Sequence, residues 1–107
     1  LNTVSIITAP AVNAGVVRDF EPNKESEIEA VMKRRIEKVL AVASEHGHSA
    51  LILGAWGCGV FKNDPKDIAR YFKEVITNKF INEFVKIVFA VYSRTERFIT
   101  PFRELFL

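Results

Sequence analysis

Three apolar runs, at residues 4–8, 50–53 and 84–92, alternate with stretches of helical spacing, and this alternation most limits the folds open to the chain. Val4-Ser5-Ile6-Ile7-Thr8 is rich in β-branched residues and stops at Ala9-Pro10, which predicts a buried strand. Residues 11–24 show no clear period and contain Asn13, Gly15, Pro22 and Asn23, so they read as a long loop. From Ser26 to His46 the pattern turns helical. Ser26 and Glu29 have the spacing of a capping box, in which two side chains satisfy amides left free by the first turn. Ile28, Met32, Ile36, Val39, Leu40 and Ala43 then form one apolar stripe. Gly47 follows as the residue able to end the helix in a left-handed conformation.

Ala50-Leu51-Ile52-Leu53 is continuously apolar, as expected of a central strand covered on both faces. Residues 54–63 are loop. Asp64-Pro65 opens a second helix, since aspartate caps and proline suits a first position that needs no amide. Ile68, Ala69, Phe72, Val75 and Ile76 mark its buried face. Residues 84–92 predict a third strand too apolar for a sheet edge. A last helix is expected over 95–106, with an interruption at Pro101. The order β-α-β-α-β-α favours parallel strands joined by right-handed crossovers, hence an α/β sheet flanked by helices. Three apolar strands make a small sheet, whose open edges would accept another segment or another chain.

Composition narrows the function classes. Hydrophobic residues are 49% of 107, enough for a single domain over 1–107 with a modest core. Fifteen basic and thirteen acidic residues leave +2, with no block of like charge to argue for nucleic acid. No apolar run approaches the roughly 18–20 residues needed to span a bilayer. The single cysteine, Cys58, excludes an intrachain disulfide and fits a reducing compartment. With no leader-like opening, the cytoplasm is the expected location. The chain starts on Leu1 rather than Met, which predicts a processed or excised product.

The segment with chemical potential is Leu53-Gly54-Ala55-Trp56-Gly57-Cys58-Gly59-Val60-Phe61-Lys62-Asn63-Asp64-Pro65, between the end of a strand and the start of a helix. Ligands in open α/β sheets favour that end of the strands. Glycines at 54, 57 and 59 open backbone conformations closed to other residues and let a ligand approach the main chain. Consecutive amides in such a turn can form an anion-binding concavity, aided by the positive end of the next helix. The run is not a Walker A loop, since no Gly-Lys-Ser/Thr follows, nor is it G-x-G-x-x-G, because position 62 is Lys. On these grounds alone it is either a phosphate cradle or a tight structural turn.

The same run resembles the second ligand loop of microbial-type poly(ADP-ribose) glycohydrolases, a branch of the macrodomain superfamily. Val4-Ser5-Ile6-Ile7-Thr8-Ala9-Pro10-Ala11-Val12-Asn13 resembles that family's strand and Ala-Pro-Asn turn, with Val12 in place of proline. Glu45-His46-Gly47-His48 and residues 86–92 also stand where the family has its helix end and late strand. The resemblance implies a three-layer macrodomain-like parallel or mixed sheet, of which this chain holds the C-terminal portion. It implies that Gly57, Cys58, Gly59 and Val60 present amides to the diphosphate of ADP-ribose. It further implies that Phe61 packs on the ribose and that Asn13 contributes to ligand binding. The family's catalytic signature, a glycine triplet followed by adjacent glutamates, would lie upstream; this sequence has no Gly-Gly and no Glu-Glu pair. Cleaving a glycosidic bond requires such an acid. No catalytic residue is therefore assigned, and no cofactor or metal is expected.

Other residues have plainer readings. Cys58 as a nucleophile would need a base that no histidine is placed to supply, so a buried thiol is favoured. His46 and His48 flank a helix-ending glycine and read as a solvated turn. Trp56 reads as packing beneath the loop, with adenine stacking as the alternative. Phe98, Phe102, Leu105 and Phe106 read as core or a docking face. Three functions stay open: part of an ADP-ribosyl hydrolase, a non-catalytic ADP-ribose or nucleotide binding module, and an α/β unit acting through self-association.

Overall fold

The structure is a computed structural model that describes residues 3–106; the opening residue Leu1 lies outside them. Four helices and two strands follow in the order α1 (Ala14–Phe20), α2 (Ile28–Glu45), β1 (Ala50–Leu53), α3 (Pro65–Lys79), β2 (Lys86–Phe89) and α4 (Glu96–Phe106). A 3₁₀ turn, Pro22–Glu27, links α1 to α2. β1 and β2 pair in parallel, with Ala50 opposite Lys86 and Leu53 opposite Phe89. The crossover through α3 is the connection that parallel pairing requires.

The helical stripe of α2 is buried as its spacing predicts: Ile28, Met32, Ile36, Leu40 and Ala43 all face inward. Met32, Ile36 and Leu40 are fully buried, each worth roughly 1.5–3 kcal/mol of apolar transfer. Gly47 ends the helix at φ +78°, a conformation in which side chains are strained. On α3, Asp64 caps the helix by accepting from the Lys66 amide at 2.9 Å, and Pro65 takes the first position. Ile68, Ala69, Phe72 and Val75 are buried there, joined by Tyr71.

Elsewhere the fold departs from expectation. Residues 4–8 are not a buried strand: they have no regular structure, and Val4 and Ile6 are 87% and 84% exposed. A β-branched run supplies propensity, but a strand also needs a neighbouring backbone, and none among the described residues pairs with it. The loop predicted over 11–24 contains α1, whose signal was Asn13: its side-chain oxygen accepts from the Val16 amide at 3.1 Å. The capping box at Ser26 and Glu29 does not form. Ser26 lies in the 3₁₀ turn, and Glu29 turns its carboxylate to Arg70 and Lys33 instead.

β1 and β2 are each covered on one side rather than both, leaving Ile52 79% and Val88 41% exposed. Among the described residues the sheet has two strands, so each is an edge. Pro101 does not interrupt α4; it is buried within a continuous helix. No helix of the described chain is long and apolar enough to cross a membrane.

The joint between α2 and α3 is ionic at its rim. The Arg70 guanidinium grips the Glu29 carboxylate at 2.8 and 3.3 Å, while Lys33 bridges Glu29 and Glu74. Hydrogen bonding from Arg70, then from Lys33, lowers the Glu29 pKa from 4.5 to about 2. A carboxylate with a depressed folded pKa adds stability that is present above pH 4.5 and is lost as pH falls toward 2. These side chains are more than a third exposed, so screening holds the contribution to less than about 1 kcal/mol. In thermal melts between pH 6 and pH 2.5, Glu29→Gln should therefore give a shallower loss of Tm with falling pH than the parent. Parallel slopes would show that the fork contributes nothing.

Candidate functional site

The glycine loop leaves the C-terminal end of β1 and enters the N-terminus of α3 as two nested turns. The Trp56 amide donates to Gly54 O at 2.8 Å and the Cys58 amide to Ala55 O at 3.1 Å. Further on, the Lys62 amide donates to Gly59 O and the Asn63 amide to Gly57 O, both at 3.0 Å. The amides of Gly57, Gly59, Val60 and Phe61 have no acceptor among the described residues. Unpaired backbone donors are tolerable only where water or a ligand reaches them. Here the loop tip is open: Val60 is 88% exposed and Phe61 36% exposed.

Two left-handed residues shape this turn, Gly57 at φ +76° and Lys62 at φ +60°. The loop is fastened from below by the segment before α1 and by α1 itself. Gly15 donates its amide to Phe61 O at 3.1 Å, and Arg18 donates to Lys62 O at 3.1 Å. Asn63, 3% exposed, reaches across to Val12 O and back to Gly57 O. Trp56 packs under the loop, its indole donating to Ala9 O at 3.1 Å and its ring 6.5 Å from that of Phe72.

The residues singled out in the sequence are linked along the chain and through one backbone bond. Asn13, at the head of α1, is brought to the loop through the Gly15–Phe61 bond, with its side-chain oxygen committed to capping. The amides of Gly57, Gly59 and Val60 are free, whereas that of Cys58 is committed to Ala55. Cys58 is buried, and burial pushes its thiol up to about 12, so it holds its proton and is no nucleophile. Sequence reasoning missed Asn63, Arg18 and Lys62. An asparagine in a glycine loop, next to an Asp-Pro helix start, was the available signal for the first.

Two cavities flank the loop. One of about 350 Å³ beside the end of β1 is lined by Ile7, Ala9, Ile52, Gly54, Trp56 and Phe72, among others. The other, about 230 Å³, is charged and is lined by Arg18, Glu25, Asn63, Asp67 and Arg70 among others. The residues that carry the free amides line neither cavity. Among the described residues no group of His, Cys, Asp and Glu is arranged to hold a metal ion.

A glycine loop joining a parallel strand to a capped helix marks the chain as an α/β fold, with that loop at the strand's C-terminal end. Solved structures share this fold. Poly(ADP-ribose) glycohydrolase from Deinococcus radiodurans, in complex with ADP-ribose, is 37% identical over 91% of this chain, with a TM-score of 0.88. The enzyme from Thermomonospora curvata is 39% identical over 92% of the chain, with a TM-score of 0.81. In sequence and fold the chain is similar to a part of these bacterial poly(ADP-ribose) glycohydrolases. It spans 40% of the first of these relatives and 37% of the second. No family model and no curated protein sequence matches it.

Proposed function

We propose that this chain is the ADP-ribose-holding portion of a glycohydrolase-like macrodomain, with the glycine loop 54–61 taking the diphosphate and the adjoining ribose. The observation that carries the reading is the set of unpaired amides at Gly57, Gly59, Val60 and Phe61, placed just before the positive end of α3. Closely spaced main-chain donors near a helix N-terminus suit an anion with several acceptor oxygens. The likeness to a glycohydrolase complexed with ADP-ribose supports that choice of anion. Cys58 shapes the turn and contributes no donor in this conformation. Phe61, partly exposed at the lip, is the surface for the ribose, and Asn13 borders the same site. The acid that would cleave the glycosidic bond is not among these residues, so the role assigned to this chain is holding.

Calorimetric titration with ADP-ribose tests the reading. The parent protein should bind, and Gly59→Val should weaken binding at least tenfold while moving Tm by no more than about 2 °C. A Cβ at position 59 would meet nothing within 4 Å, and the backbone there is not left-handed, so the fold accommodates the side chain. The valine would instead cover the amides. No heat at millimolar ADP-ribose, or unchanged affinity in the variant, would leave the loop as a turn and nothing more. A second reading, sheet completion by another polypeptide, is favoured by the exposure of Ile52 and Val88. Concentration-dependent sedimentation would support it, and a strictly monomeric particle would oppose it.

A further inference from the structure

We propose that Asn63 is the positioning residue of the ligand loop: its side-chain amide ties the segment before α1 to the glycine turn and so fixes where the free amides point. Asn63 is the buried polar side chain of the core region, 3% exposed. Its Nδ2 donates to Val12 O at 2.7 Å and to Gly57 O at 2.9 Å. Both partners are carbonyl oxygens, which can only accept, so the side chain must turn its NH₂ end toward them. The Asn63 backbone amide donates to the same Gly57 oxygen at 3.0 Å. Gly57 O therefore receives two bonds from one residue, matching its two lone pairs.

Two bonds to one carbonyl hold a peptide plane against rotation. That plane joins Gly57 to Cys58, whose amide is itself held by Ala55 O. The chain then runs through Gly59, Val60 and Phe61, where the unpaired amides lie, and returns to Asn63 through the left-handed Lys62. The turn is closed at its base by Asn63 and open at its tip. The bond to Val12 adds a second reference, because Val12 precedes Asn13, the cap of α1, which in turn fastens Phe61 O through Gly15. The loop and the Asn13 segment are thus aligned through one side chain. The ligand affected rests on the ADP-ribose reading above, while the alignment itself does not.

Two substitutions separate a donor from a space-filler. Asn63→Asp keeps size and shape but sets a carboxylate against two carbonyl oxygens; Asn63→Ala removes the amide without adding charge. A donor role makes Asp at least as damaging as Ala, whereas a space-filling role makes Asp nearly neutral. In both variants, hydrogen exchange at the bonded loop amides of Cys58, Lys62 and Asn63 should rise at least tenfold while that of α3 stays within twofold. Amide resonances of Gly57 and Gly59 should shift accordingly. ADP-ribose affinity should fall at least tenfold. Exchange rising equally in α3, or Asp behaving like the parent while Ala does not, would overturn the proposal. Should the parent not bind ADP-ribose, the function proposed above fails, and loop exchange still decides the role of Asn63. If Asn63→Asp does not fold, exchange in Asn63→Ala decides it: loop-confined acceleration supports the proposal, and parent-like exchange refutes it.

Discussion

Gly57→Ala should cost the protein on the order of 2–5 kcal/mol, and its Tm should fall by at least about 8 °C. Gly57 sits at φ +76°, where an L side chain costs about 1–2 kcal/mol. A Cβ there would also lie 2.7 Å from the Ala11 Cβ and 2.7 Å from Asn63 Nδ2. Neither neighbour can yield freely, since Ala11 is buried in the core and Asn63 is held by two carbonyls. Crowding of this kind adds about 1–3 kcal/mol. The shift in Tm follows from roughly 4–8 °C per kcal/mol for a domain near this size. Gly59→Ala is the internal control, with open space around it and an expected change within about 0.5 kcal/mol. Chemical denaturation of the two variants beside the parent checks the contrast. Equal losses would show that the strain lies elsewhere in the turn.

Phe72→Ala should be comparably severe, about 3–5 kcal/mol. The ring is 3% exposed and stands at the head of an aromatic column. It lies 6.5 Å from Trp56 and meets Phe89 edge-on at 5.3 Å; Phe89 in turn contacts Phe102 at 5.1 Å and Phe106 at 4.4 Å. The column joins the underside of the glycine loop to α3, β2 and α4, so removing Phe72 opens a cavity against these elements. Thermal unfolding should show the loss directly, and Trp56 fluorescence should shift to the red as its packing loosens. A change below about 1 kcal/mol would mean that the neighbours collapse into the space and that no such joint exists.

Helices α2 and α3 were legible because their signals are local, whereas α1 was read as loop. The stripe from Ile28 to Ala43 and the Asp64-Pro65 start each lie within a few turns of chain, and both appear as read. What depended on distant partners was not legible. Whether residues 4–8 form a strand depends on a backbone to pair with, and whether Ile52 is covered depends on what lies across the sheet. Glu29 shows the same limit at the scale of one side chain. Its spacing from Ser26 allows a cap, but Arg70, 41 positions away, offers a charged fork that no local pattern reveals. At the site, the glycines marked the turn. The support from Arg18 and Asn63 comes from contacts spanning 44 and 51 positions, and only folding brings them together.

The cysteine in the middle of the loop has a chemical consequence for the whole site. Its sulfur is shielded and holds its hydrogen far above neutrality, so peroxides and alkylating reagents meet almost no thiolate there. A backbone arrangement that depends on this turn is thereby insulated from the oxidative chemistry that disables exposed thiols, even though the reactive element sits at its centre.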